Sequence, residues 1–334
     1  MKLRLSRTQV PLLATSAVFA LFYAGASIRY DGFFSWVVFV NLLQDNSFLG
    51  LAAIGMTFVI LSGGIDLSVG AVVGFTSILV ARLMAHQMHP LPAILAALAI
   101  GTGFGAGMGG LIRFAALPPF LVTLAGMFFM RGLGLVISLE TITIRHGLYE
   151  GINALSLRVF PVTAILFLGT LGAAIYLAQY TRFGRTVYAI GGSEQSAMLM
   201  GLPVGRTKVW LYALSGFCSA LAGVTYTFYT SSGNATAGTM LELDAIAAVV
   251  IGGTLLSGGV GYVFGTLIGV LILGVIQTII TFEGTLSSWW TKIAIGLLLL
   301  GFILLQRYLQ SSAGRGGLGV ANPAMVRNTP VIRP

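Results

Sequence analysis

Cysteine is almost missing from this 334-residue chain, and the one copy, Cys218, lies in an apolar stretch. A single thiol closes no intrachain disulfide and builds no thiolate zinc site. Charge is scarce as well, at 8% of residues, with nine Asp and Glu and only three lysines. None of those lysines, Lys2, Lys208 and Lys292, follows a glycine, so the chain has no phosphate-loop lysine and does not hydrolyse ATP itself. There are three histidines. His86 and His89 share a loop beside Pro90, far in sequence from His146 and with no acid at ligand spacing, which reads as surface and not as a metal site. No Ser, His and Asp set can be assembled for nucleophilic catalysis.

What fills the chain is apolar. Hydrophobic residues make up 57% and the mean hydropathy is +0.95, more apolar surface than one water-soluble globule can hide. A hydrocarbon core about 30 Å thick takes about 20 apolar residues per helix. Windows of that size recur throughout and predict an all-α, polytopic transmembrane bundle of about ten spans. They cover 10–28, 41–61, 67–84, 92–112, 119–137, 161–180, 209–229, 245–256, 262–281 and 288–306. The eighth is short and Gly-rich, suited to enter and turn. Residues 1–310 form the membrane domain with a polar loop at 181–208, and the Gly-, Ser-, Asn- and Pro-rich 311–334 reads as a disordered cytoplasmic tail.

Lysine and arginine bias orients the bundle. With ten crossings and both termini in the cytoplasm, twelve of the 18 basic residues fall inside, among them Arg113, Arg182, Arg185, Arg206 and Lys208. Nine crossings would put the basic C-terminal segment outside. The net charge of +9 therefore reports orientation between membrane lipids and not a nucleic-acid surface. The basic start and the Ala24-Gly25-Ala26 run imitate a signal peptide, yet the apolar run exceeds a signal h-region and reads as an uncleaved first helix.

One internal repeat is visible. Leu61-Ser62-Gly63-Gly64 recurs as Leu256-Ser257-Gly258-Gly259, and Gly70 and Gly74 match Gly265 and Gly269 at the same offset. Each copy ends one apolar segment and opens another. Gly105-x-Gly107-x-x-Gly110 fits a dinucleotide pattern, but it lies within a span with no preceding strand, so it reads as close helix packing.

Polar groups at membrane depth are costly and belong to a cavity or a partner. Asn41, Gln44 and Asp45 recur at i, i+3 and i+4; Asp66 follows the first Leu-Ser-Gly-Gly; Glu242 and Asp244 open the eighth segment. These six are candidates for a substrate path, since carboxylates and amides hydrogen-bond a polyhydroxylated solute, with interhelical hydrogen bonding as the alternative role for each. Arg131 and Lys292 lie within spans and are expected to neutralise carboxylates or snorkel.

The 181–208 loop carries a short helix with its own stop signals. Ser193 suits an N-cap, Glu194 sets negative charge on the first turn, Gly201 suits the left-handed C′ position and Pro203 follows. A helix over Glu194–Met200 is too short to persist alone in water, where about 12–15 residues are needed. It reads as a docking element for a soluble partner.

Four motifs in order give the chain a family resemblance: VILSGGIDLSVG at 59–70, TLAGMFFMRG at 123–132, FGRTVYAIGG at 183–192 and ELDAIAAVVIGG at 242–253. Over about residues 30–310 it resembles the monosaccharide permeases of bacterial ABC importers, in the ribose, xylose and galactose group, and most nearly those of galactofuranose importers. The resemblance implies a cytoplasmic ABC ATPase that uses the ATP, a periplasmic sugar-binding protein and a second permease, identical or different, in the inner membrane. No cofactor is implied on this chain itself. It also implies that Gly191, Gly192, Ser193, Glu194 and Gly201 belong to an ATPase-coupling helix. A sugar carrier driven alone by an ion gradient is the rival reading; it needs an ionisable relay near the midplane, whereas most carboxylates here fall at span ends.

Overall fold

A computed structural model describes residues 10–158, 160–285, 287 and 289–315. Among these the architecture is helical: α1 (Val10–Arg29), α2 (Trp36–Asp45), α3 (Ser47–Leu61), α4 (Val69–Ala85), α5 (Pro90–Phe114), α6 (Pro119–Ile137) and α7 (Gly147–Arg158) form the first half. There follow α8 (Val162–Tyr180), α9 (Arg182–Gly192), α10 (Glu194–Leu199), α11 (Val204–Thr230), α12 (Leu241–Ile251), α13 (Val263–Glu283) and α14 (Trp289–Arg315). The one sheet among the described residues pairs β1 (Ile142–Thr143) antiparallel with β2 (Ser232–Gly233). It ties the loop after α6 to the end of α11.

Seven helices are long and apolar enough to cross a membrane, and α2 with α3 makes an eighth candidate bent by 53°. The other two of the ten expected segments are shorter. At about 1.5 Å per residue, the 11 residues of α12 rise only about 16 Å, half of a hydrocarbon core. The second expected span, 41–61, is in fact broken at Asn46, whose side-chain amide donates to Leu42 O (2.9 Å) while the Ser47 hydroxyl donates to Gln44 O (2.7 Å). Those two bonds occupy carbonyls at the end of α2, and the chain re-enters α3 at a new angle. Three further elements differ from expectation: α14 continues through 311–315, and α7 and α9 occupy stretches expected to be loop. The rest of the tail, 316–334, lies outside the described residues, as does Ser288.

Helix α3 is the axis of the core, with every residue but Phe48 buried. It packs against α11, α12, α8 and α13. The most extensive helix contact is α5 with α11, and glycine is the reason: Gly101, Gly105 and Gly109, at i, i+4 and i+8, all lie against the α11 backbone. A Cβ at Gly105 would overlap the Tyr212 carbonyl. The close-packing reading of Gly105-x-Gly107-x-x-Gly110 holds at Gly105 alone, since Gly107 faces open space and Gly110 meets only Phe114 of its own helix.

The repeat has a structural counterpart. Both copies of Leu-Ser-Gly-Gly lie in breaks, one between α3 and α4 and one between α12 and α13, and the two breaks touch. The Gly259 N–H donates to Leu61 O (2.9 Å), and Gly258 lies against Gly63.

Candidate functional site

Eight of the eleven expected site residues fall in two regions, at opposite ends of α11. The first begins where α8 ends. Thr181 caps α9, its hydroxyl accepting from Gly184 N (3.2 Å) and donating to Leu177 O (2.6 Å). Helix α9 buries Gly184, Thr186, Val187 and Ile190 on one face. Tyr188 donates to Gly261 O (2.8 Å), and burial pushes its phenol up to about 12, so it keeps the proton it donates at neutral pH. The end of α9 then meets both repeat breaks. A Cβ on Gly191 would overlap Leu61 O and Gly259 N, whereas Gly192 has room for one. Gly191 therefore occupies a three-way backbone junction.

After that junction the chain turns into α10, and its ends are closed as the residue types predict. Ser193 Oγ accepts from Ser196 N (3.2 Å), and Glu194 Oε1 meets Lys208 Nζ at 2.6 Å. At the other end Gly201 adopts φ +75°, its N–H donates to Met198 O (2.9 Å) and the Leu202 N–H donates to Ala197 O (3.1 Å). That bond pair is a Schellman cap, and the Ala197, Ile190, Val204 and Leu202 side chains pack beneath it. The helix is one residue shorter than expected, ending at Leu199. Its inner face rests on its own chain, while Met198, Leu199 and Met200 stand 53%, 84% and 67% exposed. Together they form an exposed apolar patch within a polar loop.

The second region is a cavity of about 470 Å³ at the far end of α2, α11, α12 and α13. Asn41, Asp45, Asp244 and Gln277 line it, together with Tyr229 and Thr278. The Tyr229 hydroxyl donates to Asp45 Oδ1 (3.1 Å), and Lys292 of α14 holds Asp244 at 2.6 Å on Oδ2 and 2.8 Å on Oδ1. The expected neutralising role of Lys292 is thus met. Arg131 donates instead to Thr239 Oγ1 (3.1 Å) and Ala237 O (3.4 Å).

Only half of the candidate path residues reach this cavity. Gln44 turns off the lining face of α2. Glu242 is buried against Gly70, with Oε2 lacking a partner among the described residues. Asp66 is 1% exposed and accepts from Ser68 N (2.9 Å), Ser68 Oγ (2.6 Å) and Ser215 Oγ (2.7 Å). Its carboxylate therefore clasps the first break to α11 and does not line this cavity. Tyr229 and Thr278 escaped the sequence reading because aromatic and hydroxyl residues in an apolar helix carry no signal of which face they occupy.

Residues 38–303 match the family described as branched-chain amino acid transport system, permease component. The inner membrane ABC transporter permease protein YjfF of Escherichia coli is 50% identical over 309 residues, 91% of this chain and 93% of that protein. The ribose import permease protein RbsC of Bacillus subtilis is 42% identical over 284 residues, 84% of this chain and 88% of its own length. The fructose import permease protein FruG of Bifidobacterium longum is 36% identical over 322 residues, 93% of this chain and 94% of its own. No solved structure matches the chain. Taken with the helical, multi-span fold, these relatives place the chain in the family of ABC sugar permeases, the membrane component of import systems.

Proposed function

We propose that this permease carries a monosaccharide inward across the bacterial inner membrane, with galactofuranose as the sugar, and that it works without an ATPase site or bound cofactor of its own. A cytoplasmic ABC ATPase supplies the energy, a periplasmic binding protein delivers the sugar and a second permease completes the pore. The observation that carries this reading is α10, a six-residue helix sealed at both ends that bares Met198, Leu199 and Met200. A helix this short holds its shape only when braced, and here the bracing leaves an apolar tip free for another protein.

The coupling follows from its attachments. ATP-driven closure of the ATPase displaces α10, which moves α9, and Gly191 transmits the shift to both repeat breaks. Those breaks terminate α3 and α12, and α12 carries Asp244 on the sugar-facing cavity. Asn41, Asp45, Asp244 and Gln277 offer hydroxyl-binding groups there, and release of the Lys292–Asp244 pair alters the rim. The ribose and fructose import relatives support the solute class. Galactofuranose rests on the motif resemblance.

An ion-coupled carrier acting alone is the second reading, favoured by the buried Glu242 with its unpartnered oxygen. Proteoliposomes decide between them. Uptake of labelled galactofuranose is expected only when the ATPase, the second permease, the binding protein and ATP are all present. Uptake by this chain alone under a proton or sodium gradient defeats the ATP-driven reading, and preference for ribose or fructose defeats the sugar assignment.

A further inference from the structure

Beside the coupling element lies a second cleft, of about 710 Å³, between α9 and the start of α11. Arg182 and Arg185, at i and i+3 on α9, and Arg206, on α11, line it together with Trp210, four residues further along. Phe183 and Leu202 add apolar wall. Among the described residues the two ion pairs are Glu194 with Lys208 and Asp244 with Lys292, so none of these three guanidinium groups has a carboxylate partner. Three like charges around one hollow repel one another unless an anion fills it.

The depth of the cleft is marked by aromatic side chains. Tyr176 and Tyr180 stack at 5.7 Å in the last turn of α8, 64% and 68% exposed, and Trp210 is 66% exposed on α11. Exposed Tyr and Trp at the ends of membrane-crossing helices mark the headgroup boundary. Arg182 follows Tyr180 by two residues and opens α9, so the guanidinium groups stand at phosphate depth while Trp210 and Phe183 offer an acyl-facing wall. Guanidinium forks match phosphate oxygens in pairs, and basic pockets between helices on this side of a membrane take anionic headgroups.

The geometry points to a binding site for the phosphodiester headgroup of an anionic phospholipid, held by Arg182, Arg185 and Arg206 with Trp210 against its acyl base. Its phosphate bridges α9 and α11, the two limbs that flank α10. A bound lipid thus fixes the root of the coupling helix from the membrane side. Free inorganic phosphate shares the chemistry but makes no use of the apolar wall.

The test places the full-length chain, with Trp36, Trp289 and Trp290 changed to Phe, in phosphatidylcholine nanodiscs containing brominated phosphatidylglycerol or brominated phosphatidylcholine. Trp210 fluorescence is expected to be quenched at a lower mole fraction of the brominated phosphatidylglycerol. Arg206→Gln is expected to reduce that preference about fivefold, and changing all three arginines to Gln to abolish it. Native mass spectrometry of the unsubstituted chain gives an independent reading, with phosphatidylglycerol adducts expected to outlast those of phosphatidylcholine. Equal quenching and equal adducts in the unsubstituted arginine background overturn the proposal. Loss of the preference on adding inorganic phosphate reassigns the cleft to a small anion and overturns it too. So does an unchanged preference in the triple variant accompanied by lost ATPase co-purification, which makes the arginines a protein-docking surface.

Discussion

Gly191 shows how much one missing side chain can decide. It follows an amphipathic run and precedes an N-cap, so sequence places it at a helix end and says nothing of what surrounds it. In space it touches Leu61, at the end of α3, and Gly259, in the break between α12 and α13, and a Cβ there meets backbone on both sides. Backbone cannot rotate aside as a side chain can. Gly191→Val is therefore expected to destabilise the junction by about 1–3 kcal/mol and to abolish sugar uptake even where the protein still inserts. Gly192→Ala, with open space around it, should stay within about 0.5 kcal/mol of the parent. Thermal unfolding in detergent and transport assays check the pair, and equal effects at both positions would remove Gly191 from the coupling route. Asp66 teaches the opposite lesson: a lone carboxylate in an apolar stretch looks like a solute ligand, but three donors hold it inside the core.

Among the elements, α10 was the most legible, because capping is local chemistry. Ser193, Glu194 and Gly201 do what their residue types predict, since each acts within a turn of its own position. Helix α9 was missed for a comparable reason. It is short, begins in charge and buries only one stripe, so its existence depends on the surfaces of α3, α8 and α11. The exposed tip of α10 gives the element-scale prediction. Leu199→Asp should leave stability within about 0.5 kcal/mol, because the side chain is 84% exposed, yet weaken ATPase association about tenfold or more. Pull-down of the ATPase with the variant measures it. Undiminished association would show that α10 is merely a folded loop.

For the whole molecule, the ordering of spans fixes which end faces which compartment. Residues of α9, α10 and the first turn of α11 must all be cytoplasmic if the chain crosses as the basic residues direct. Ser196 is exposed on α10, while Cys218 is 1% exposed and provides no competing thiol. Ser196→Cys should accordingly react with an impermeant maleimide in inverted vesicles and stay unlabelled in intact spheroplasts, as mass-shift gels would report. Labelling in spheroplasts inverts the topology and with it the place of the ATPase. The cavity lined by Asn41, Asp45, Asp244 and Gln277 is a whole-molecule property as well, since these residues come from three helices and meet only through packing.

The sequence by itself determined the membrane-embedded helical class, the paired Gly-rich breaks and the capped helix α10, because hydropathy and capping act through near neighbours in the chain. Tertiary structure alone decided that the two breaks meet at Gly191, that α2 bends away from α3, and that three of six candidate polar residues share one cavity. Those outcomes depend on which faces of distant helices approach closely enough to exclude a single Cβ, and no local pattern of residue types encodes that distance.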